Sequence, residues 1–143
     1  MAFSAKTEYG LVALIELAGV HGSGGLLQTA EICRRHGIPE RYLEQMLTSL
    51  RKAGILRSVR GPRGGFQLNR APDTISVAEV IACLDGDRQG SPAPDREGLV
   101  FRVLASLERK VEQARHQVLS TVTLAKLVEE RDSQLQASAM FYI

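Results

Sequence analysis

The sequence predicts a mainly α-helical protein with one small β-hairpin: a winged helix-turn-helix unit followed by a long dimerisation helix. Three observations carry that expectation. Residues 38–52 set an apolar stripe at helical spacing against a polar face. Two short alternating segments follow at once, joined by a turn rich in Arg and Gly. From about Leu99 the apolar residues Val100, Leu104, Leu107, Val111, Ala114 and Val118 alternate spacings of four and three, the seam of a helix that packs along another helix.

The bulk numbers bound the class. The chain has 143 residues, 44% hydrophobic and 24% charged, as expected of one compact core with an extra packing element. No apolar run approaches the roughly 20 residues that cross a bilayer, so no membrane partner is expected. The start, MAFSAKTEYG, lacks the charged, apolar and cleavage regions of a signal peptide, and a cytoplasmic protein is the expectation. Cys33 and Cys83 lie far apart, and a structural disulfide is not expected in a reducing compartment. No nucleophile elbow, phosphate-binding loop or paired-carboxylate arrangement is visible, and the histidines are scattered, so the chain does not read as an enzyme.

Each element has its own local reason. Ser4 caps a first helix in which Leu11, Leu14, Ile15 and Ala18 recur on one face, with Tyr9 as core or dimer-interface packing. Gly19, Gly22, Gly24 and Gly25 end it in a loop. Thr29 is the expected cap of a second helix, ending near Gly37, whose small residues Ala30, Cys33 and Gly37 would let another helix approach. Pro39 suits the first position of the third helix. There Leu43, Met46, Leu47 and Leu50 form the buried stripe, and Gly54 stops the run. Residues 56–60 and 66–69 read as strands, and Ser76-Val77-Ala78-Glu79 as a capping box before the stripe Val77, Val80, Ile81, Leu84. Residues 87–97 have loop composition. The residues after Leu119 break the long helix, Thr123 can cap a last one through Leu127 and Val128, and the apolar ending SAMFYI is expected to pack. The expected division is 1–86 for the winged unit, 87–98 for the loop and 99–143 for the dimerisation helix and tail.

The chemistry-bearing residues gather in residues 38–69. Charge is uneven: residues 1–70 hold ten Lys/Arg against five Asp/Glu, a net of +5, within a chain whose total is +2. The face opposite the buried stripe of the third helix carries Arg41, Gln45, Thr48 and Lys52, flanked by Tyr42 and Glu44. These side chains suit base edges and phosphates in a major groove. Arg57, Arg60 and Arg63 crowd the hairpin around Gly61-Pro62-Arg63-Gly64-Gly65. Like charges on a tight loop call for a polyanion, and Arg in a narrow minor groove is one solution. Cys33 reads as a small buried hydrophobe and Cys83 as half-buried, though both stand as candidate redox thiols. Cys33 and His36 are at best a two-ligand fragment, His21 and His116 have no ligand-like neighbours, and no metal or cofactor is expected.

With those residues in view, the chain resembles the bacterial Rrf-two winged-helix transcription regulators, which include an iron–sulfur cluster regulator, a nitric-oxide-sensing repressor and a cysteine-metabolism repressor. The resemblance runs from Thr7-Glu8-Tyr9-Gly10-Leu11 through Ile38-Pro39-Glu40-Arg41-Tyr42-Leu43-Glu44-Gln45 to the final helices. Its most specific part lies in residues 51–68, with the wing Gly61-Pro62-Arg63-Gly64-Gly65. The resemblance implies a homodimer on a palindromic operator in double-stranded DNA, with Arg41, Tyr42, Glu44 and Gln45 entering the major groove. It likewise implies that Arg60 and Gly61 reach the minor groove, and that Glu44 gates specificity. Cluster-binding relatives carry three close cysteines before the long helix. Residues 85–99 here contain none, so a cluster held in the family's manner is not expected. The leading expectation is a dimeric sequence-specific regulator, a repressor by analogy, with an unknown protein or small-molecule effector. The alternative is a winged-helix interaction module that docks a metabolic enzyme or other partner, with or without binding DNA.

Overall fold

The computed structural model describes residues 3–86 and 98–140. It is mainly helical with a two-stranded antiparallel hairpin and a long helix toward the C-terminus. Helix α1 (Ala5–Gly19) starts at Ser4, whose Oγ accepts from the Thr7 backbone N–H at 3.1 Å. Its buried face is wider than the apolar period suggested, because Ala13 and Leu17 are fully enclosed while Ile15 sits at the half-buried edge.

Helices α2 (Thr29–His36) and α3 (Glu40–Lys52) pack against each other as the helix-turn-helix pair, α3 also packs against α1, and Arg35 of α2 pairs with Glu16 of α1 at 2.9 Å. Both begin one residue away from the expected position. Gln28 occupies the cap of α2 and Thr29 its first turn; Pro39 occupies the cap of α3 rather than the first helical position. Neither makes a side-chain cap bond, and the Gln28 and Pro39 carbonyls instead accept the first helical bonds, from Ile32 (3.4 Å) and Leu43 (3.0 Å). The small-residue face of α2 is also corrected. Ala30 and Gly37 are exposed, and Ile32 with Cys33 turns into the core. An eight-residue helix spans barely two turns, too few for its own apolar period to fix its rotation. In α3 the expected stripe of Leu43, Met46, Leu47 and Leu50 is fully buried.

Strands β1 (Leu56–Val59) and β2 (Gly65–Leu68) pair with Leu56 opposite Leu68 and Arg57 opposite Gln67. Each differs from expectation by about one residue, because pairing ends where the Arg60–Gly64 turn begins and Asn69 leaves the ladder. Asn69 closes the hairpin base instead, its N–H reaching Ile55 O at 2.9 Å and its side-chain amide Gly54 O at 3.1 Å. Leu27 adds an isolated bridge on the far side of β2, exchanging bonds of 3.0 and 2.9 Å with Phe66.

Helix α4 (Val77–Asp85) buries Val77, Val80 and Leu84 as expected. Its capping box is half formed. Ser76 Oγ accepts from the Glu79 N–H at 3.2 Å, but the Glu79 carboxylate turns to Arg70. At the other end of α4, Asp85 accepts from the hydroxyls of Ser4 (3.0 Å) and Thr7 (2.6 Å), tying α4 to the start of α1.

Helix α5 (Leu99–Thr121) leaves the core with no buried residue, and α6 (Leu124–Met140) returns along α1. The corner between them is stitched to the start of α4 by Val77 N–H to Val122 O (2.9 Å) and Leu124 N–H to Ile75 O (3.0 Å). Leu124 is fully buried, so the winged core is completed by a residue far beyond Leu84. Thr123 caps α6 as expected, through Lys126 N–H to its Oγ1 at 3.2 Å, but the helix runs well past Val128. The expected loop of residues 87–97 and the last three residues of the SAMFYI ending lie outside the described residues.

Candidate nucleic-acid interface

Burying one stripe of α3 forces the opposite one outward. Leu43, Met46, Leu47 and Leu50 fix the helix rotation, so Arg41, Glu44, Gln45 and Lys52 are exposed and Thr48 is half-buried. Ser49 Oγ bonds back to Gln45 O at 3.1 Å, spending that hydroxyl within the helix. Tyr42 is 38% exposed, and its ring meets Tyr9 of α1 edge to face, with centroids 5.8 Å apart and planes at 88°. The side chain expected to reach a groove is thus braced at its ring by the first helix.

The wing follows α3 after a three-residue corner. Arg57, Arg60, Gly61 and Arg63 are all exposed. Gly61 adopts φ +114°, a left-handed conformation that side chains rarely take, and its carbonyl accepts from Gly64 N–H at 2.8 Å. Gly64 and Gly65 answer a different need, because a Cβ on either would lie 2.2 Å from Val59 O or 2.4 Å from Leu27 O respectively. The turn can fold this tightly only without side chains at those two positions.

Positive charge is dense on this face, where residues 40–63 hold six Lys/Arg against two Glu. Arg35 pairs with Glu16 and Glu31, Arg70 with Glu79, and Arg131 with Asp132. Among the described residues, Arg41, Lys52, Arg57, Arg60 and Arg63 have no ion-pair partner. Among the described residues Lys6, Arg34, Arg109 and Lys126 are likewise outside any ion pair, so what marks α3 and the hairpin is the gathering of unpaired cations on adjoining elements, which favours an anion.

The thiols stand apart from this face. Burial pushes the Cys33 thiol up, and the nearby Glu40 and Glu44 carboxylates push it further. Burial also raises Cys83, with Lys6 pulling the other way and Glu79 adding to the rise. Cys83 Sγ donates to Ser49 O of α3 at 3.5 Å. Among the described residues no cluster of three His, Cys, Asp or Glu side chains has metal-binding geometry. A thiolate-held cluster does not fit this donor set, since the two cysteines lie in separate helices and residues 85–99 supply none.

Three contributors went unread in the sequence: Tyr9 against Tyr42, Gln67 opposite Arg57, and Leu27 behind β2. Only Gln67 had a usable signal, because hairpin register follows once the turn length is known.

Comparison with known proteins places these features in context. The profile of the family described as "Rrf2: Iron-dependent Transcriptional regulator" matches residues 3–130. The HTH-type transcriptional regulator CymR of Bacillus subtilis (strain 168) is 35% identical over 143 residues, covering 100% of both chains. The HTH-type transcriptional regulator IscR of Erwinia tasmaniensis is 35% identical over 135 residues, 92% of this chain and 81% of the relative. The structure of CymR (YrzC), the global cysteine regulator of B. subtilis, superposes with a TM-score of 0.79 at 33% identity, covering 90% of this chain and 96% of that one.

Proposed function

This chain belongs to the Rrf2 family of transcriptional regulators, which are not enzymes, and from that premise we propose that it is a homodimeric, sequence-specific DNA-binding regulator that works without an iron–sulfur cluster. The observation that carries the reading is the cluster of six Lys/Arg against two Glu along α3 and the adjoining wing, residues 40–63. The α3 face presents Arg41, Tyr42, Glu44, Gln45, Thr48 and Lys52 to a major groove, and the wing offers Arg57, Arg60, Gly61 and Arg63 to phosphates and the neighbouring minor groove. Glu44 selects as well as binds: a carboxylate accepts from a cytosine amino group and repels phosphate.

The dimer rests on α5. Val100 is 73% exposed, Leu107 57% and Val111 60%, a continuous apolar seam on one side of a 23-residue helix. Full burial is worth about 1.5–3 kcal/mol for each such side chain, which a second copy of the helix would supply. Two copies related by a two-fold axis would set two wings on a palindromic operator. The division into a reading unit up to residue 86 and a dimerisation unit from residue 99 follows from that arrangement. No described helix is long and apolar enough to cross a membrane, which suits a cytoplasmic regulator.

The donor set argues against the cluster, so the signal lies elsewhere, in a protein or small-molecule effector. Repression is the simplest output of a dimer seated on an operator. Gel shift against the DNA upstream of the chain's own gene, beside capture of partners from lysate, tests the reading. A shift that survives competitor DNA supports it. Partner capture with no shift even at low salt would replace it with the interaction module that docks a metabolic enzyme.

A further inference from the structure

Arg57 and Gln67 face each other directly across the hairpin, on the side opposite Leu56 and Leu68, which join the core. With the Gln67 amide turned to satisfy its neighbours, its oxygen accepts from Arg57 Nε at 2.7 Å and also from Nη2. Among the described residues, Arg60 and Arg63 have no comparable side-chain tether. Nη1 takes no part in this contact, and the residue is exposed.

We propose that Gln67 is a positioning residue that holds the Arg57 guanidinium ready for a DNA backbone phosphate, making this pair a fixed anchor at the base of the wing. The proposal rests on the DNA-binding reading above. Its chemical logic lies in the choice of a neutral acceptor. An amide oxygen restrains the guanidinium without cancelling its charge, whereas a carboxylate at the same place would form an ion pair and remove the charge a phosphate needs. A long Arg side chain otherwise loses rotamer freedom on binding, and the Gln67 tether removes part of that freedom beforehand. The half-buried Gln67 and the paired strands give the tether a rigid base, while Arg60 and Arg63 on the turn remain adaptable.

Fluorescence anisotropy with a labelled 30-base-pair duplex, at a series of salt concentrations, tests this on the full chain; that length is about that needed to span two half-sites. Arg57→Ala is expected to weaken binding and lower the log–log salt slope by about 0.9, one phosphate's worth. Gln67→Leu is expected to weaken binding about 3- to 10-fold with the slope unchanged, because the charge remains but is no longer ordered. Placed on Arg57→Ala, the same Gln67→Leu change should do nothing further. Gln67→Glu serves where the leucine variant folds poorly: it keeps the tether and the melting temperature, yet the slope drops by about 0.9. Unchanged affinity for Gln67→Leu, or an equal loss with and without Arg57, overturns the anchor. So does an unchanged slope for Gln67→Glu. If the wild-type chain fails to bind the duplex at low salt, the DNA-binding reading falls and the anchor with it, an outcome distinct from variants that match a binding wild type.

Discussion

Arg60 carries the clearest consequence of a single side chain. It is exposed at the mouth of the wing turn, beside the left-handed Gly61, and has no ion-pair partner among the described residues. Arg60→Ala is expected to weaken operator binding and to flatten its salt dependence by about 0.9 in slope. An unchanged slope in anisotropy titrations would remove Arg60 from the DNA contact. The cysteines make the opposite point. A thiol pushed up by burial and by neighbouring carboxylates holds little thiolate at neutral pH, and thiolate is the reactive form. Cys33→Ser should therefore leave DNA binding under peroxide as it is in the parent. A lost oxidant response in that variant would show that Cys33 reacts despite its surroundings. Both positions stood out in the sequence, but burial in the folded core first, and the Glu40 and Glu44 carboxylates after it, decide how readily the Cys33 thiol ionises.

Two element-level contacts follow the same pattern. Gly65 sits where β2 bridges to Leu27, with carbonyl oxygen where its Cβ would go. Gly65→Ala must push the backbones apart, at a cost of about 1–3 kcal/mol, and should lower the melting temperature. Gly65→Ala with unaltered melting would show that the bridge is slack. The returning helix α6 is joined to the winged core through Leu124. Truncating that fully buried side chain to Ala should cost about 2–5 kcal/mol in chemical denaturation, although the residue lies far in sequence from α3 and the hairpin. A loss below about 1 kcal/mol would mean that the α5–α6 corner is peripheral to the core. Strands, turn and α3 stripe were legible because each has a short-range period. Leu27 and Leu124 were not, since a lone apolar residue has no period and its partner lies elsewhere in the chain.

At the scale of the whole molecule, the exposed α5 seam makes the proposed dimer testable. Leu107→Glu places a charge where a second helix would pack. It should shift sedimentation from dimer toward monomer and weaken binding to a palindromic site far more than to a half-site. A dimer that persists with unchanged mass would show that α5 is not the interface. The winged core should survive this change, because no residue of α5 is buried and the core closes through Leu124 instead.

Periodicity, turn chemistry and charge in the sequence were enough to determine the fold class, the order of the elements, the buried face of α3 and the cationic wing. Those are local properties, set by side chains within one or two turns of each other. The rotation of the short α2, the half-used capping box, the Tyr9 support under Tyr42, the Gln67 tether on Arg57 and the closure of the core by Leu124 were decided only in three dimensions. Each depends on which surface a side chain meets after the chain has folded back, and no local pattern encodes that meeting.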